Sequence, residues 1–299
     1  MSLVTEVKRI VPPAARRVAR KTLVKGSRYT RSLHKHVRRY IGVLPDFLII
    51  GSQKCGTTSL YNYLIQHPCI YPASTKEVGY FDRYYSDDLN WYRSHFPSSL
   101  HKYYRHNFLK RSFLTGEAST GYIVIPQALQ RIAHILPHAK LILLLRNPVD
   151  RAYSHYHHSR RRGRETCSFE EALQQETARI GHYWQHMIAE GVYSLEVDDY
   201  AYRRIGIYVH QVQVLMSLFP REQIVILTTE QLARSPEAVF TRVVSFLELP
   251  SWQLRNFERH NSGSYAQMAE ATRARLVEYY QPYNQALYEY LGMKFDWDR

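Results

Sequence analysis

Four short, bounded runs, Phe47–Ile50, Phe113–Glu117, Leu141–Leu145 and Ile224–Leu227, are too brief for helices and predict buried strands. Between and after them the pattern predicts helices over Thr57–Gln66, Pro126–Leu136, Val149–Arg161, Phe169–Thr177, Leu195–Phe219, Pro236–Leu247 and Ala266–Leu291. Gln231–Pro236 reads as a loop into the Pro236 helix, with Ser235 as N-cap and Pro236 at the first helical position. Alternating strands and helices imply a doubly wound α/β unit: a central parallel sheet flanked by helices, with every strand except those at the edges parallel.

Composition refines this picture. A chain of 299 residues with 45% hydrophobic content can bury one large core. Residues 1–40 hold twelve Lys/Arg against the single acid Glu6, a net +11 that leaves only +3 of the chain's +14 for the remainder. The chain therefore divides into a basic N-terminal arm, 1–44, and one domain, 45–299. Apolar residues at Val4, Val7, Val11, Ala14, Val18 and Leu23 recur at roughly helical intervals, interrupted by Pro12-Pro13. The arm is thus solvated or partly disordered, a peripheral contact with an anionic membrane surface, or a contact for nucleic acid or protein. Nucleic acid is disfavoured as the main partner because no reading motif accompanies the charge. No apolar stretch reaches the length of a membrane span or forms a signal-peptide core. Cys55, Cys69 and Cys167 have neither metal-ligand spacing nor an even count for a disulfide framework. The expectation is a cytoplasmic protein, with membrane association left open through the arm. Most of the 25 tyrosines are expected at the core margin, and several in a binding crevice.

The most informative segment is Pro45–Leu60, PDFLIIGSQKCGTTSL. An apolar strand enters a loop bracketed by Gly51 and Gly56, and a helix follows at once. Such a loop turns successive amides toward an anion, and the helix N-terminus adds its positive dipole end. Lys54 supplies a full charge, and Thr57, Thr58 and Ser59 supply hydroxyls. The Gly51-x4-Gly56 spacing matches a Walker A loop, but Thr57-Thr58 stands where that motif requires Lys-Ser/Thr. The loop is P-loop-like without being that of a nucleoside triphosphatase. The alternative is a plain strand-to-helix turn.

A second segment, KLILLLRNPVDRAYSHY at 140–156, repeats the arrangement. Arg146 ends a buried strand, Pro148 suits the first turn of the next helix, and Ser154 lies about two turns on. An arginine in that place points into the ligand crevice of an open α/β sheet, unless it pairs with Asp150. Together the two segments resemble the 5′-phosphosulfate loop and 3′-phosphate site of sulfotransferases that use 3′-phosphoadenosine 5′-phosphosulfate. Further matches are KEVGYFD at 76–82, Asn90-Trp91-Tyr92, Phe96-Pro97, TGEASTGY at 115–122, Gly206-Ile207-Tyr208 and NSGSY at 261–265. They extend the resemblance from about Pro45 to Trp297, to the heparan-sulfate glucosaminyl and bacterial carbohydrate sulfotransferases.

That resemblance implies sulfuryl transfer to a hydroxyl or amine of a carbohydrate, glycolipid or small-molecule acceptor, with no metal required. It places Ser52, Lys54, Cys55, Gly56, Thr57, Thr58 and Ser59 around the 5′ end of the donor and Arg146 and Ser154 on its 3′-phosphate. Tyr208, Ser262, Gly263, Ser264 and Tyr265 complete the donor pocket. Lys54 stabilises the leaving group, and Glu77 is the general base, with His95 and Glu117 next in line and a salt bridge to Lys76 as its alternative role. Three departures stand out. Ala118 replaces a lysine of the heparan-type enzymes, which argues against heparan sulfate as acceptor. Gly79 replaces a histidine helper, and the last loop lacks a basic pair, leaving Arg273 or Arg275 to substitute. The run Arg160–Arg164 reads as a helix exit complementing the dipole more than as an acceptor site. A P-loop kinase or other nucleotide-binding protein is the rival class, and a catalytically inactive binder of nucleotides or anionic lipids a second.

Overall fold

In the computed structural model, which describes residues 41–254, 256–258 and 265–298, one sheet is built from β1 (Phe47–Gly51), β2 (Ile70–Pro72), β3 (Leu114–Ala118), β4 (Lys140–Leu145) and β5 (Ile224–Thr228). The order is β2-β3-β1-β4-β5 and every neighbouring pair is parallel. The edge strands thus run with the centre, contrary to the sequence expectation. Each is entered after a helix that returns the chain to the same end of the sheet. The chain leaves β1 to build one side, β2 and β3, then crosses to build the other, β4 and β5. The carboxyl end of β1 is therefore the switch point, where such sheets open a crevice.

The helices are α1 (Thr57–Leu64), α2 (Leu89–Arg93), α3 (Ser99–Asn107), α4 (Pro126–Ile135), α5 (Pro148–Arg161), α6 (Phe169–Glu190), α7 (Leu195–Tyr200), α8 (Tyr208–Leu218), α9 (Thr229–Arg234), α10 (Pro236–Phe246) and α11 (Glu270–Leu291). Successive residues of a strand face opposite layers. Leu141, Leu143 and Leu145 pack with Leu129 and Ile132 of α4 and Val212 and Leu215 of α8. Ile142 and Leu144 pack with Leu60 and Leu64 of α1 and Phe240 and Val243 of α10. Both faces are covered, which is why the strands read as continuous apolar runs rather than alternating ones.

The longest discrepancy is the predicted helix Leu195–Phe219, which is two helices, α7 and α8, joined through a short 3-10 turn at Arg204–Gly206. Buried ion chemistry fixes the break. The fully buried Arg151 guanidinium donates to the carbonyls of Ala201 and Tyr202. The Glu176 carboxylate accepts from the amides of Arg203 and Arg204 at 2.9 and 3.0 Å and from Arg203 Nε at 3.0 Å. Gly206 is needed there, since a Cβ would lie 2.8 Å from the Tyr280 hydroxyl. These partners lie 25 residues or more away in sequence, beyond the reach of periodicity. Conversely, α6 runs past Thr177 to Glu190, carrying Gly181 within it, and stops only at Gly191, whose φ is +67°. The expected loop Gln231–Pro236 contains the end of α9, started by a Thr228–Gln231 capping box. Ser235 holds the N-cap position of α10 but its hydroxyl makes no capping bond. The short β2, α2 and α3 carry too little periodicity to be read from sequence.

Glu176→Ala removes a buried carboxylate and leaves the amides of Arg203 and Arg204 and the Arg203 guanidinium without their acceptor, so it should lower unfolding free energy by about 3 kcal/mol. Urea titration measures this, and a midpoint equal to wild type would show that the break holds without it.

Candidate active site

At the carboxyl edge, a cleft of about 550 Å³ lies between the β1–α1 loop and the ends of β3 and β4. Gly56 is the N-cap of α1 with φ +85°, a left-handed conformation that favours glycine. No side chain caps the helix and no acid occupies its first turn, so its positive end faces the cleft. Lys54, with φ +68°, turns its ammonium into the same space. Thr229 Oγ1 donates to the carbonyls of Cys55 at 2.9 Å and Leu145 at 3.0 Å, tying the loop to the end of β4.

Lys54, Gly56, Thr57, Thr58, Ser59, Arg146, Ser154, Glu77 and Tyr265 all line this cleft. Arg146 donates to the Lys54 carbonyl at 3.3 Å. It does not pair with Asp150, which is bound by Arg273. Among the described residues neither Lys54 nor Arg146 has an ion-pair partner. Tyr265 stacks on His157 of α5 with ring centroids 4.3 Å apart. Arg162 also reaches the cleft, whereas Arg160 serves the Thr166 and Cys167 carbonyls and Arg164 binds Asp199. The arginine run therefore divides between the cleft and structural contacts.

Three expected donor contacts lie beneath the cleft instead. Ser52 and Cys55 are fully buried. The Cys55 thiol is pushed up to about 11 by burial and faces the Tyr208 hydroxyl at 3.8 Å. Tyr208 is buried and donates to the Arg146 carbonyl at 3.0 Å, so it supports the strand end rather than lining the pocket. Ser52 and Cys55, three residues apart in the loop, both face the interior, and Tyr208 packs beneath them at the start of α8. Ser262, Gly263 and Ser264 lie outside the described residues. Arg273 is held by Asp150 and Arg275 reaches Thr272, and neither lines the cleft.

Glu77 sits on the cleft wall, its carboxylate 2.7 Å from Lys76 Nζ. Its φ is +60°, and three consecutive amides hold that conformation against the end of β3. Glu77 N donates to the Ala118 carbonyl at 3.0 Å, Val78 N to Glu117 Oε2 at 3.2 Å, and Gly79 N to Ser119 Oγ at 3.0 Å. Glu117 is completely buried and also accepts from Tyr92 at 2.7 Å, Tyr122 at 2.9 Å and Ser119 at 2.6 Å. Burial pushes its pKa up while the donors oppose the rise. Glu117 therefore positions the Glu77 loop and has no access to a substrate. His95 is likewise excluded as base, since it lines a separate hollow beside Ser74, 2.9 Å from that hydroxyl.

Sequence reasoning missed His158 and the Gln53–Asp198–Arg83–Tyr193 wall. His158 lies four residues after Ser154, on the same face of α5, a spacing that was available as a signal. Burial and then the nearby Lys54 lower its pKa to about 4, so it is a neutral imidazole at pH 7. Gln53 Nε2 donates to Asp198 Oδ1 at 3.0 Å, and the Arg83 guanidinium lies 4.0 Å from the Tyr193 ring centre. These contacts join segments far apart in sequence.

Burial, then Arg161 and Arg146, lower the Lys54 pKa from 10.5 to about 8. Between those values the unfolded chain holds a proton that the folded chain has lost, so wild-type stability rises with pH across that window and the full penalty stands below it. Lys54→Met should therefore melt above wild type at pH 7, the gap closing as pH climbs through the window. Scanning calorimetry tests this, and a lower melting point at pH 7 would mean that the lysine supports the fold.

Residues 44–279 match the model of the sulfotransferase domain family. The membrane-associated sulfotransferase kil1 of Dictyostelium discoideum is 27% identical over 85% of this chain and 66% of its own length. The bifunctional heparan sulfate N-deacetylase/N-sulfotransferase 3 of Homo sapiens is 30% identical over 78% of this chain but 26% of its own. The chain thus spans under two thirds of either relative. The crystal structure of a sulfotransferase from Alicyclobacillus acidocaldarius superposes with a TM-score of 0.67 at 30% identity, covering 86% of this chain and all of that one. A P-loop-like loop at the switch point, Lys54 and Arg146 without ion-pair partners among the described residues, and a family match across most of the domain agree: the chain belongs to the sulfotransferase family.

Proposed function

We propose that this protein transfers a sulfuryl group from 3′-phosphoadenosine 5′-phosphosulfate to a hydroxyl or amine of a carbohydrate acceptor. The observation that carries the reading is the convergence on one cleft of a phosphate-type loop from β1 and the cationic end of β4, with a carboxylate opposite. The residues present suit such a donor. The α1 N-terminus, Thr57, Thr58 and Ser59 offer donors to a 5′-phosphate, while Arg146 and Ser154 offer a charge-assisted contact to a 3′-phosphate. The donor supplies an activated sulfur–oxygen bond.

Catalysis then rests on positioning and electrostatics. Lys54 neutralises charge that grows on the leaving phosphate oxygen. Glu77 accepts the proton of the attacking hydroxyl or amine once its Lys76 pairing opens. His158, a neutral imidazole near both Lys54 and Glu77, offers a hydrogen bond from the cleft wall, where Gly79 supplies no histidine. Ala118 puts no cation at the end of β3, which favours an acceptor other than heparan sulfate. The arm, 1–44, is assigned to contact with an anionic membrane surface, consistent with the name of the Dictyostelium relative.

Adenosine 3′,5′-bisphosphate should raise the melting temperature without Mg²⁺. Arg146→Ala should weaken its binding by about 2 kcal/mol while barely changing affinity for a nucleotide lacking the 3′-phosphate. Equal losses for both ligands, measured by calorimetry, would make Arg146 structural. Glu77→Gln should preserve nucleotide binding yet lower sulfuryl transfer about a hundredfold to ten-thousandfold. Transfer is followed by mass spectrometry with labelled donor over a panel of glycans. Near-full turnover would place the base elsewhere.

A further inference from the structure

One region outside the cleft has an unusual combination of charge and exposure. From Leu89 to Gly116 the chain contains no Asp or Glu and five Lys/Arg, in a domain whose charges otherwise nearly balance. This stretch includes α3, which buries none of its side chains. At its end every residue from His106 to Ser112 is exposed, so the turn stands out from the surface. Tyr104, Phe108 and Leu109 are 50%, 55% and 39% exposed, and the Tyr104 and Phe108 rings stack at 5.6 Å. Arg105, His106, Lys110 and Arg111 flank them. Among the described residues the only ion pair of α3 and this turn is Lys102 with Asp46, at 2.9 Å.

An apolar tip collared by cations on a convex turn fits the water–headgroup boundary of an anionic membrane, where aromatic and aliphatic groups insert and Lys/Arg meet phosphates. A glycan chain would need a concave track, which this turn does not present. The chain connection adds a second, independent argument. Gly42 bridges Ser98 and Val43 N donates to the Pro97 carbonyl at 3.0 Å, so the arm with net +11 joins the domain at the start of α3. We propose that Tyr104, Phe108, Leu109, Lys110 and Arg111 form a docking surface for an anionic lipid bilayer, acting beside the arm. The turn leads directly into β3 and so lies at the amino edge of the sheet, whereas the cleft lies at the carboxyl edge. Docked this way, the protein presents its cleft away from the lipid and takes its acceptor from the aqueous side.

The test uses the full chain with Phe108→Ser/Leu109→Ser and, separately, Lys110→Glu/Arg111→Glu, in co-sedimentation with phosphatidylglycerol-containing vesicles, pure phosphatidylcholine vesicles and heparin beads. Wild type should bind the anionic vesicles and not the neutral ones. Each double variant should bind the anionic vesicles about tenfold more weakly with an unchanged melting temperature. The serine pair should leave heparin binding intact, because a polyanion in solution has no interior to receive the apolar tip. Vesicle binding equal to wild type in both variants would assign the attraction to the arm alone, and an equal loss on heparin for the serine pair would make this a glycan surface; either result overturns the proposal.

Discussion

Burial of a five-stranded parallel sheet on both faces governs where chemistry can occur in this molecule. The interiors of β1, β4 and β5 are apolar, so their polar side chains are displaced to the strand ends. Parallel connections bring three carboxyl ends, those of β1, β3 and β4, side by side. The loop with Lys54, the Glu117–Ser119 segment that holds Glu77, and Arg146 follow from these ends. Covering helices set the depth of the cleft, and the switch at β1 sets its place.

Rigidity at this edge comes largely from side chains buried beneath the cleft. Glu117 spends its full acceptor capacity on three hydroxyls and one amide, and Ser119 relays that network to the next amide. A buried carboxylate is costly unless its partners are complete, and here the partners also fix the loop it borders. Lys54 and Glu77 are two of four non-glycine residues with positive φ among those described. Such backbone persists only where surrounding bonds over-determine it. The Thr229 hydroxyl does this for the loop of Lys54 and the triple amide clamp for Glu77.

Much of the architecture was legible because it is local. Apolar runs located β1, β3, β4 and β5, and glycine and proline placed α1, α5 and α10 to within two residues. The site residues that could be read, Lys54, Arg146 and Ser154, sit just after strands or within the first two turns of a helix, where sequence distance and spatial distance agree. What escaped depended on long-range partners. The break at Arg204–Gly206 is dictated by Arg151 and Glu176, and the inward direction of Ser52, Cys55 and Tyr208 is set by packing of the loop onto the sheet. Motif matching alone gave the loop members equal standing, although Ser52 and Cys55 face the core and Gln53 and Lys54 face the cleft.

The cleft opposes the stability of the fold that forms it. Lys54 is partly buried among Arg146, Arg151 and Arg161, and burial together with those charges lowers its pKa to about 8. Uncompensated cations at close range cost free energy, which the apolar layers on either side of the sheet must offset. Elsewhere in the same domain the buried carboxylates of Glu165 and Glu176 are partnered by Arg179 and Arg203. The contrast separates structural from functional charge without reference to motif: where partners lie within the chain, charge fixes backbone, and where they are missing, the chain awaits an anion. A ligand carrying phosphates at two places would relieve the repulsion at Lys54 and at Arg146 together, so binding and stability are coupled through the same few cations.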